Sequence, residues 1–378
     1  MQGYFDYAAT TMPDPDVART VYEAMLKFPG NPSSRHALGF ESAKALQKAR
    51  KRVAELMGVD EKEIFFTSGG TEGNNLLIQG AAAARRKQAP EILYSGAEHA
   101  SVVQSVLTAG SAGSQPVKIQ PDRTGHLSAD DFMTRFSEKT GFVTLMKTNN
   151  ETGAVNPVED LAREIKSRQD YTLVHTDLVS SLGKMPLAPG KMGVDMATFS
   201  GHKIFGPNGV GFIYLKKGTH IRPWLVGGEQ QEGIRPGTEN LPAVLGMTLA
   251  LEKALTDLPR AAEQAGRCKQ AAMEILNAIP TVTYHNADSA SPFLLHLSTN
   301  TVKSETMLNY LSGKGFFISA GSACAKGAQS HVLQEMGLAK KESDTALRIS
   351  FSGVSDLEDT VEMAKTVVEG ERLLCHAY

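Results

Sequence analysis

Cysteine is scarce in this chain: Cys268, Cys324 and Cys375 are three in 378 residues, odd in number and widely scattered. That pattern excludes a disulfide framework and offers no metal-ligand spacing, and a reducing cytoplasm suits it best. No run of about 18 or more apolar residues occurs, so nothing reads as a membrane span. The N-terminus has no basic segment followed by an apolar one, so no signal peptide is read. An excess of one charge is missing too, because 39 basic and 41 acidic side chains leave a net charge of −2. Such a balance gives no electrostatic reason to bind nucleic acid directly, or an anionic membrane. Internal repeats and low-complexity stretches are absent apart from a Gly/Ser-containing segment near 109–115.

What is present is an ordinary globular composition, 41% hydrophobic and 21% charged. A chain of this length exceeds what one core usually organises, so two domains are expected. From about residue 42 to 214 helical patterns (42–57, 72–87, 101–109, 158–167) alternate with short apolar runs. Those runs (64–66, 92–94, 117–119, 142–146, 172–175) have the length of buried strands, and 196–199 and 210–215 add two more. The alternation predicts an α/β domain with a mainly parallel sheet covered by helices on both faces. A long helical pattern over 241–278 then bridges into a smaller C-terminal α+β domain, with strands at 293–297 and 347–351 and helices at 305–311 and 356–371.

Ligands of open α/β sheets bind beyond the carboxyl ends of strands, so the polar residues after each run are the candidates. Ser68-Gly69-Gly70-Thr71-Glu72 opens a helix, where free N–H groups suit an anion. The same residues also read as a plain strand-to-helix turn capped by Thr71. His99 and the Asn149-Asn150 turn follow two further runs. Asp177 ends another run and is either a helix cap or the acid that a pyridinium nitrogen requires. In Ser200-Gly201-His202-Lys203, Lys203 has the position for a Schiff-base amine, with Ser200 and His202 beside it for a phosphate. Cys324 lies among small residues in Ser322-Ala323-Cys324-Ala325-Lys326-Gly327, the setting of an accessible thiol. Cys268, in a helical pattern, and Cys375, near the C-terminus, read as inert.

Together these segments resemble the NifS/IscS-like cysteine desulfurases, a branch of the class V aminotransferase superfamily of fold-type I pyridoxal-5′-phosphate (PLP) enzymes. The resemblance runs nearly end to end, through Tyr4-Phe5-Asp6-Tyr7, Gly30-Asn31-Pro32, Thr67-Ser68-Gly69-Gly70-Thr71-Glu72, Glu98-His99, Asn149-Asn150-Glu151-Thr152-Gly153, Ser200-Gly201-His202-Lys203, Gly237-Thr238, Ser322-Ala323-Cys324 and Leu347-Arg348-Ile349-Ser350. It implies a large PLP-binding domain over 15–250 with a mainly parallel seven-stranded sheet. A smaller α+β domain of 1–14 and 251–378 would carry the sulfur-transfer cysteine. Lys203 would bind PLP covalently, Asp177 would protonate the ring nitrogen, and His99 would stack on the ring and move protons. Asn150 would bond the phenolic oxygen. Gly70, Thr71, Ser200 and His202 would hold the phosphate, joined by Thr238 from the other subunit of a homodimer. Arg348 and Asn31 would bind the substrate L-cysteine, Arg348 as a fork on its carboxylate. Cys324 would take the sulfur as a persulfide, release L-alanine, and pass the sulfur to an acceptor protein such as an iron–sulfur scaffold or a tRNA-thiolation enzyme.

Two positions depart from the family pattern. Ser180 stands where the family usually has a glutamine near the phenolic oxygen, and a bridging water or Asn150 alone can serve instead. Six residues separate Cys324 from His331, fewer than is common, which leaves the reach of Cys324 toward acceptors open. The alternatives are a selenocysteine lyase or another class V PLP lyase, which would not need Cys324, and a sulfur-relay scaffold without catalysis, which would not need Lys203.

Overall fold

The computed structural model describes residues 3–287, 289–320 and 330–377. All seven apolar runs between 64 and 215 form strands: β1 (Ile64–Thr67), β2 (Glu91–Ser95), β3 (Gln115–Ile119), β4 (Thr140–Thr144), β5 (Leu173–Asp177), β6 (Met196–Ser200) and β7 (Gly211–Leu215). They make one sheet in the order β1-β7-β6-β5-β4-β2-β3. β7 pairs antiparallel with both neighbours and every other pairing is parallel. β4 to β7 are buried at every position, as strands covered on both faces must be.

Side-chain alternation divides the strands' apolar residues between two layers. Ile64, Phe66, Val143, Val174 and Phe199 pack with α1 (Pro15–Lys27), α2 (Ala37–Met57), part of α7 (Leu241–Leu276) and α6 (Val158–Arg168). On the opposite face Phe65, Phe142, Leu173 and Met196 pack with α3 (Gly70–Arg85) and α4 (Ala100–Ser111). The short α5 (Ala129–Met133) joins β3 to β4. β4 lies two residues earlier than the apolar run 142–146 suggests. At Met146 side chains take over, its N–H donating to Glu98 Oε1 at 2.7 Å and its carbonyl accepting from Asn156 Nδ2 at 2.8 Å, while the Leu145 and Lys147 N–H groups still donate to the His175 and Asp177 carbonyls of β5.

A second core surrounds an antiparallel sheet of β8 (Thr283–Tyr284), β9 (Leu294–Ser298) and β10 (Ala346–Ser350), ordered β10-β9-β8. α8 (Ser304–Gly313) and α11 (Leu357–Leu373) cover it, and α9 (His331–Glu335) and α10 (Lys340–Asp344) lead into β10. At 36 residues α7 is about 54 Å long, enough to serve both cores. Val244, Met247 and Leu251 enter the first, while Ala265, Cys268, Ala272 and Leu276 enter the second, with Pro259 between the two sets. The N-terminal segment links the cores as well. Phe5 is buried in the second core and its carbonyl accepts from Ser350 N–H at 2.8 Å. Further along, Thr11 N–H donates to His202 O at 2.9 Å, beside Lys203. Among the described residues no helix is long and apolar enough to cross a membrane.

Candidate active site

The carboxyl ends of β2, β4, β5 and β6 lie on one edge of the sheet, and a cavity of about 210 Å3 opens there. Its walls bring together Gly70, Thr71, His99, Asn150, Asp177, Ser180, Ser200, His202 and Lys203, residues drawn from five connections far apart in sequence.

One end of the cavity is built for an anion. Gly69 has φ +145°, a conformation that glycine adopts without steric cost, and this turns β1 sharply into α3. No side chain caps α3, so its first N–H groups stay available beside the Thr71, Ser200 and His202 side chains. A β-carbon added at Gly70 would come within 2.9 Å of Val179 Cγ2, so the close approach of these two turns depends on glycine. Burial pushes the His202 pKa down to about 4, helped by the positive charges of Lys203 and Lys184, so the ring is a neutral hydrogen-bonding group.

The other end holds an acid in a rigid network. Asp177 Oδ2 accepts from Asn74 Nδ2 at 2.8 Å and Oδ1 accepts from Val179 N–H at 2.9 Å. Asn74 also donates to Ser101 Oγ at 2.9 Å, and Ser101 Oγ lies 2.7 Å from His99 Nδ1. The Ser101 N–H donates to the same ring nitrogen at 3.1 Å, which fixes Nδ1 as an acceptor and leaves Nε2 toward the cavity. The cavity walls desolvate His99 and lower its pKa, against the opposing pull of Asp177. Glu98 behind it is fully buried, and burial first and Asp177 second raise its pKa well above the carboxylate range. Asn74 and Ser101 were not singled out from the sequence, and Glu98 was named only within the Glu98-His99 segment, without a role. A legible signal existed for Asn74: it lies four residues after Gly70, on the helix face that also buries Leu77 and Ile78.

Lys203 occupies the space between these ends. Its ammonium group donates to Ala8 O and, at 2.9 Å, to Ala9 O, carbonyls of the N-terminal segment. Desolvation first, then Lys184 and Arg348, bring its pKa down from 10.5 to about 7. A lysine in that state is a nucleophile near neutral pH.

Arg348, on β10, reaches the same region from the second core. Its Nη2 is 2.9 Å from Asp6 Oδ1 and its Nη1 donates to Asn150 O at 3.1 Å, while Nε is buried without a partner among the described residues. Asn31 and Thr238 are exposed and line none of these walls. Cys324 falls outside the described residues, but both flanks of its segment are tied to the site. Ser319 and Arg348 exchange backbone hydrogen bonds at 3.1 and 2.7 Å. On the other flank Ser330 Oγ donates to Glu151 Oε2 at 2.6 Å, and His331 Nε2 lies 2.8 Å from Glu98 O. Cys268 is buried in the second core and Cys375 is exposed near the C-terminus.

These groups fit pyridoxal 5′-phosphate: an uncapped helix start for the phosphate, a buried acid for the ring nitrogen and a depressed lysine for the aldehyde. Asn74 and Asn150 both line the cavity, and among the described residues their Oδ1 atoms are buried without a partner.

The family model for class-V aminotransferases matches residues 3–362. A protein named cysteine desulfurase from Nostoc sp. is 34% identical over 378 residues, covering 98% of this chain and 94% of that one. A cysteine desulfurase IscS from Methanosarcina thermophila is 33% identical over 374 residues, covering 97% and 91% of the two chains. Among solved structures, a NifS-like protein at 33% identity covers 99% of this chain and all of its own, with a TM-score of 0.93. Another, described as SspA in complex with cysteine, is 28% identical, covers 94% of this chain and all of its own, and has a TM-score of 0.82.

Proposed function

Because the chain belongs to the class-V aminotransferase family, we propose that it is a PLP-dependent cysteine desulfurase that converts L-cysteine to L-alanine and takes the sulfur as a persulfide on Cys324. The observation that carries this reading is the meeting of Lys203, Asp177 and the uncapped start of α3 in one cavity, with Arg348 and both flanks of the Cys324 segment at its border.

When bound, the cofactor supplies an electron sink for charge that develops at the substrate's α-carbon. Lys203 holds it through its amine, and its neutrality near pH 7 makes that attachment possible without a separate base. Asp177, oriented by the hydrogen bonds that it accepts from Asn74 and from the Val179 N–H, would hold the proton on the ring nitrogen. Gly70, Thr71, Ser200 and His202 bind the phosphate, and Asn150 offers its amide to the phenolic oxygen with Ser180 beside it. His99 moves protons through Nε2 while Ser101 fixes the opposite nitrogen. Arg348 binds the substrate carboxylate by exchanging its contact with Asp6, and Asn31 contributes to substrate binding. Cys324 then attacks the substrate sulfur. One C–S bond breaks and one S–S bond forms, and the released electron pair and a proton complete the methyl group of alanine. No outside oxidant or reductant is needed.

The functional unit is a homodimer. Tyr22, Met25 and Leu26 of α1, with Leu38 and Phe40 at the start of α2, are large apolar side chains exposed on the single chain, a surface suited to a second copy. Thr238 then reaches the phosphate of the neighbouring subunit. The division into a large domain of 15–250 and a small one of 1–14 and 251–378 is supported by the presence of two cores, with α7 running from one into the other. The sulfur passes in the cytoplasm to an acceptor protein, an iron–sulfur scaffold or a tRNA-thiolation enzyme.

Mass spectrometry after one turnover with cysteine tests the reading. About 32 Da, one sulfur atom, is expected on the peptide bearing Cys324, and Cys324→Ser is expected to bind cysteine but release no alanine. Sulfur on Cys268 or Cys375, or full alanine production by Cys324→Ser, would move the lyase reading to first place.

A further inference from the structure

A second lysine stands beside Lys203, and among the described residues no acid pairs with it. After Asp177 the chain turns through Ser180 and Ser181 to Gly183, whose φ of +67° lies in the left-handed region. A β-carbon there would meet Ile204 Cγ2 at 2.9 Å and Ala254 Cβ at 3.0 Å, so this turn is seated directly on the residue that follows Lys203. The next residue, Lys184, donates its N–H to Ser181 O at 3.0 Å, which fixes where its side chain starts. Lys184 shares a cavity of about 890 Å3 with Lys203, Tyr7 and Phe351. It also shares a small one of about 10 Å3 with Ser180, Asn150 and Ala8. Ser180 and Lys203 in turn line the cofactor cavity. Lys184 therefore sits at the junction of the spaces around the Lys203 amine.

The charged groups that face Lys203 come from several elements. Asp177 at the end of β5 and Asp6 of the N-terminal segment favour its protonation, whereas Lys184 and Arg348 of β10 oppose it. His202 on its own turn and His99 after β2 complete the surroundings. Arg348 is largely answered by Asp6 at 2.9 Å. The Lys184 ammonium makes no hydrogen bond or ion pair among the described residues, and desolvation lowers its own pKa to about 8. Its field also contributes to the lowered pKa of His202. A neighbouring cation is one of the two established ways to activate a lysine nucleophile, and desolvation is the other.

We propose that Lys184 is a positioning residue for Lys203: an unbalanced ammonium held in the adjoining cavity keeps the Lys203 amine neutral and ready to attack a carbonyl. The proposal rests on the reading of Lys203 as the cofactor-binding lysine.

The test uses the full chain freed of cofactor, with trace reductive methylation by formaldehyde and cyanoborohydride across a range of pH and the Lys203 peptide followed by mass spectrometry. In the wild type the labelling midpoint is expected at about 7. Lys184→Met should move it upward by about one pH unit, because removing a cation makes protonation of Lys203 easier. Lys184→Arg, which keeps the charge, should stay with the wild type, and Lys184→Gln replaces Lys184→Met if that variant does not fold. A midpoint unchanged in the neutral variants overturns the proposal. So does a Lys184→Arg midpoint that moves as far as theirs, since packing would then be responsible. Borohydride reduction of the wild-type holoenzyme reports separately on the underlying reading. Cofactor fixed to any other lysine removes that reading, whereas cofactor on Lys203 with an unmoved midpoint removes only the role of Lys184.

Discussion

An ordinary lysine keeps its proton up to about pH 10, whereas Lys203 gives it up near about 7 because its surroundings exclude water. The folded pKa is thus below the unfolded one, and between those values the unfolded chain binds more protons than the folded chain. The cost of burying Lys203 is therefore fully present below about pH 7 and fades as pH rises toward that of a free lysine. Lys203→Met should raise the melting temperature of the cofactor-free chain most below that point, with the advantage shrinking at higher pH. The same variant should carry no reducible cofactor and show no turnover. A melting difference that does not change with pH would mean that Lys203 is not held neutral. Lys203 is legible in the sequence because a lysine just beyond a buried strand has few structural reasons to be there. Asn74 and Ser101 are not, since they carry no charge and show their role only once β5, α3 and α4 are folded against one another.

At the scale of elements, α3 does two jobs with one sequence. Its start leaves N–H groups free for an anion, and one turn later its buried face carries Asn74 to Asp177. Asn74→Ala should therefore weaken cofactor binding and also lower stability, by about 1–3 kcal/mol, because a buried carboxylate loses a donor. Urea unfolding would measure it, and a change below about 0.5 kcal/mol would show that Asp177 does not depend on Asn74. The seven strands of the large sheet were legible because each is a short apolar run, and most of them adjoin a helical pattern. α1 was not, because its stability rests on the Asp14 cap and Pro15 at the first turn, while Tyr22, Met25 and Leu26 face outward. α5, α9 and α10 are five residues each, too short to display a helical period. β8 has only two residues, and pairing with β9 defines it rather than any pattern of its own.

For the whole molecule, the proposed homodimer turns on a relation between two copies. Thr238 and Asn31 are exposed on the single chain, and the apolar residues of α1 and α2 that a monomer would bury are exposed with them. The loop before Thr238 is nevertheless held in place: Arg235 grips Glu72 of α3 with Nε to Oε1 at 2.7 Å, and Gln231 pairs with both backbone groups of Phe66 at 2.7 Å. A loop anchored beside the start of α3, yet presenting Thr238 outward, suits the proposal that Thr238 serves a neighbour's site. Complementation separates this from an action within one chain. Lys203→Ala and Thr238→Asp homodimers should each be impaired. In a mixed dimer, the subunit with an intact Lys203 receives an intact Thr238 from its partner, while the other site collects both defects. Activity of the purified mixed dimer should then recover to about half that of the wild type, one good site in two. If Thr238 served its own chain, each site would keep one defect, the mixed dimer would be no better than its parents, and the trans assignment would fall.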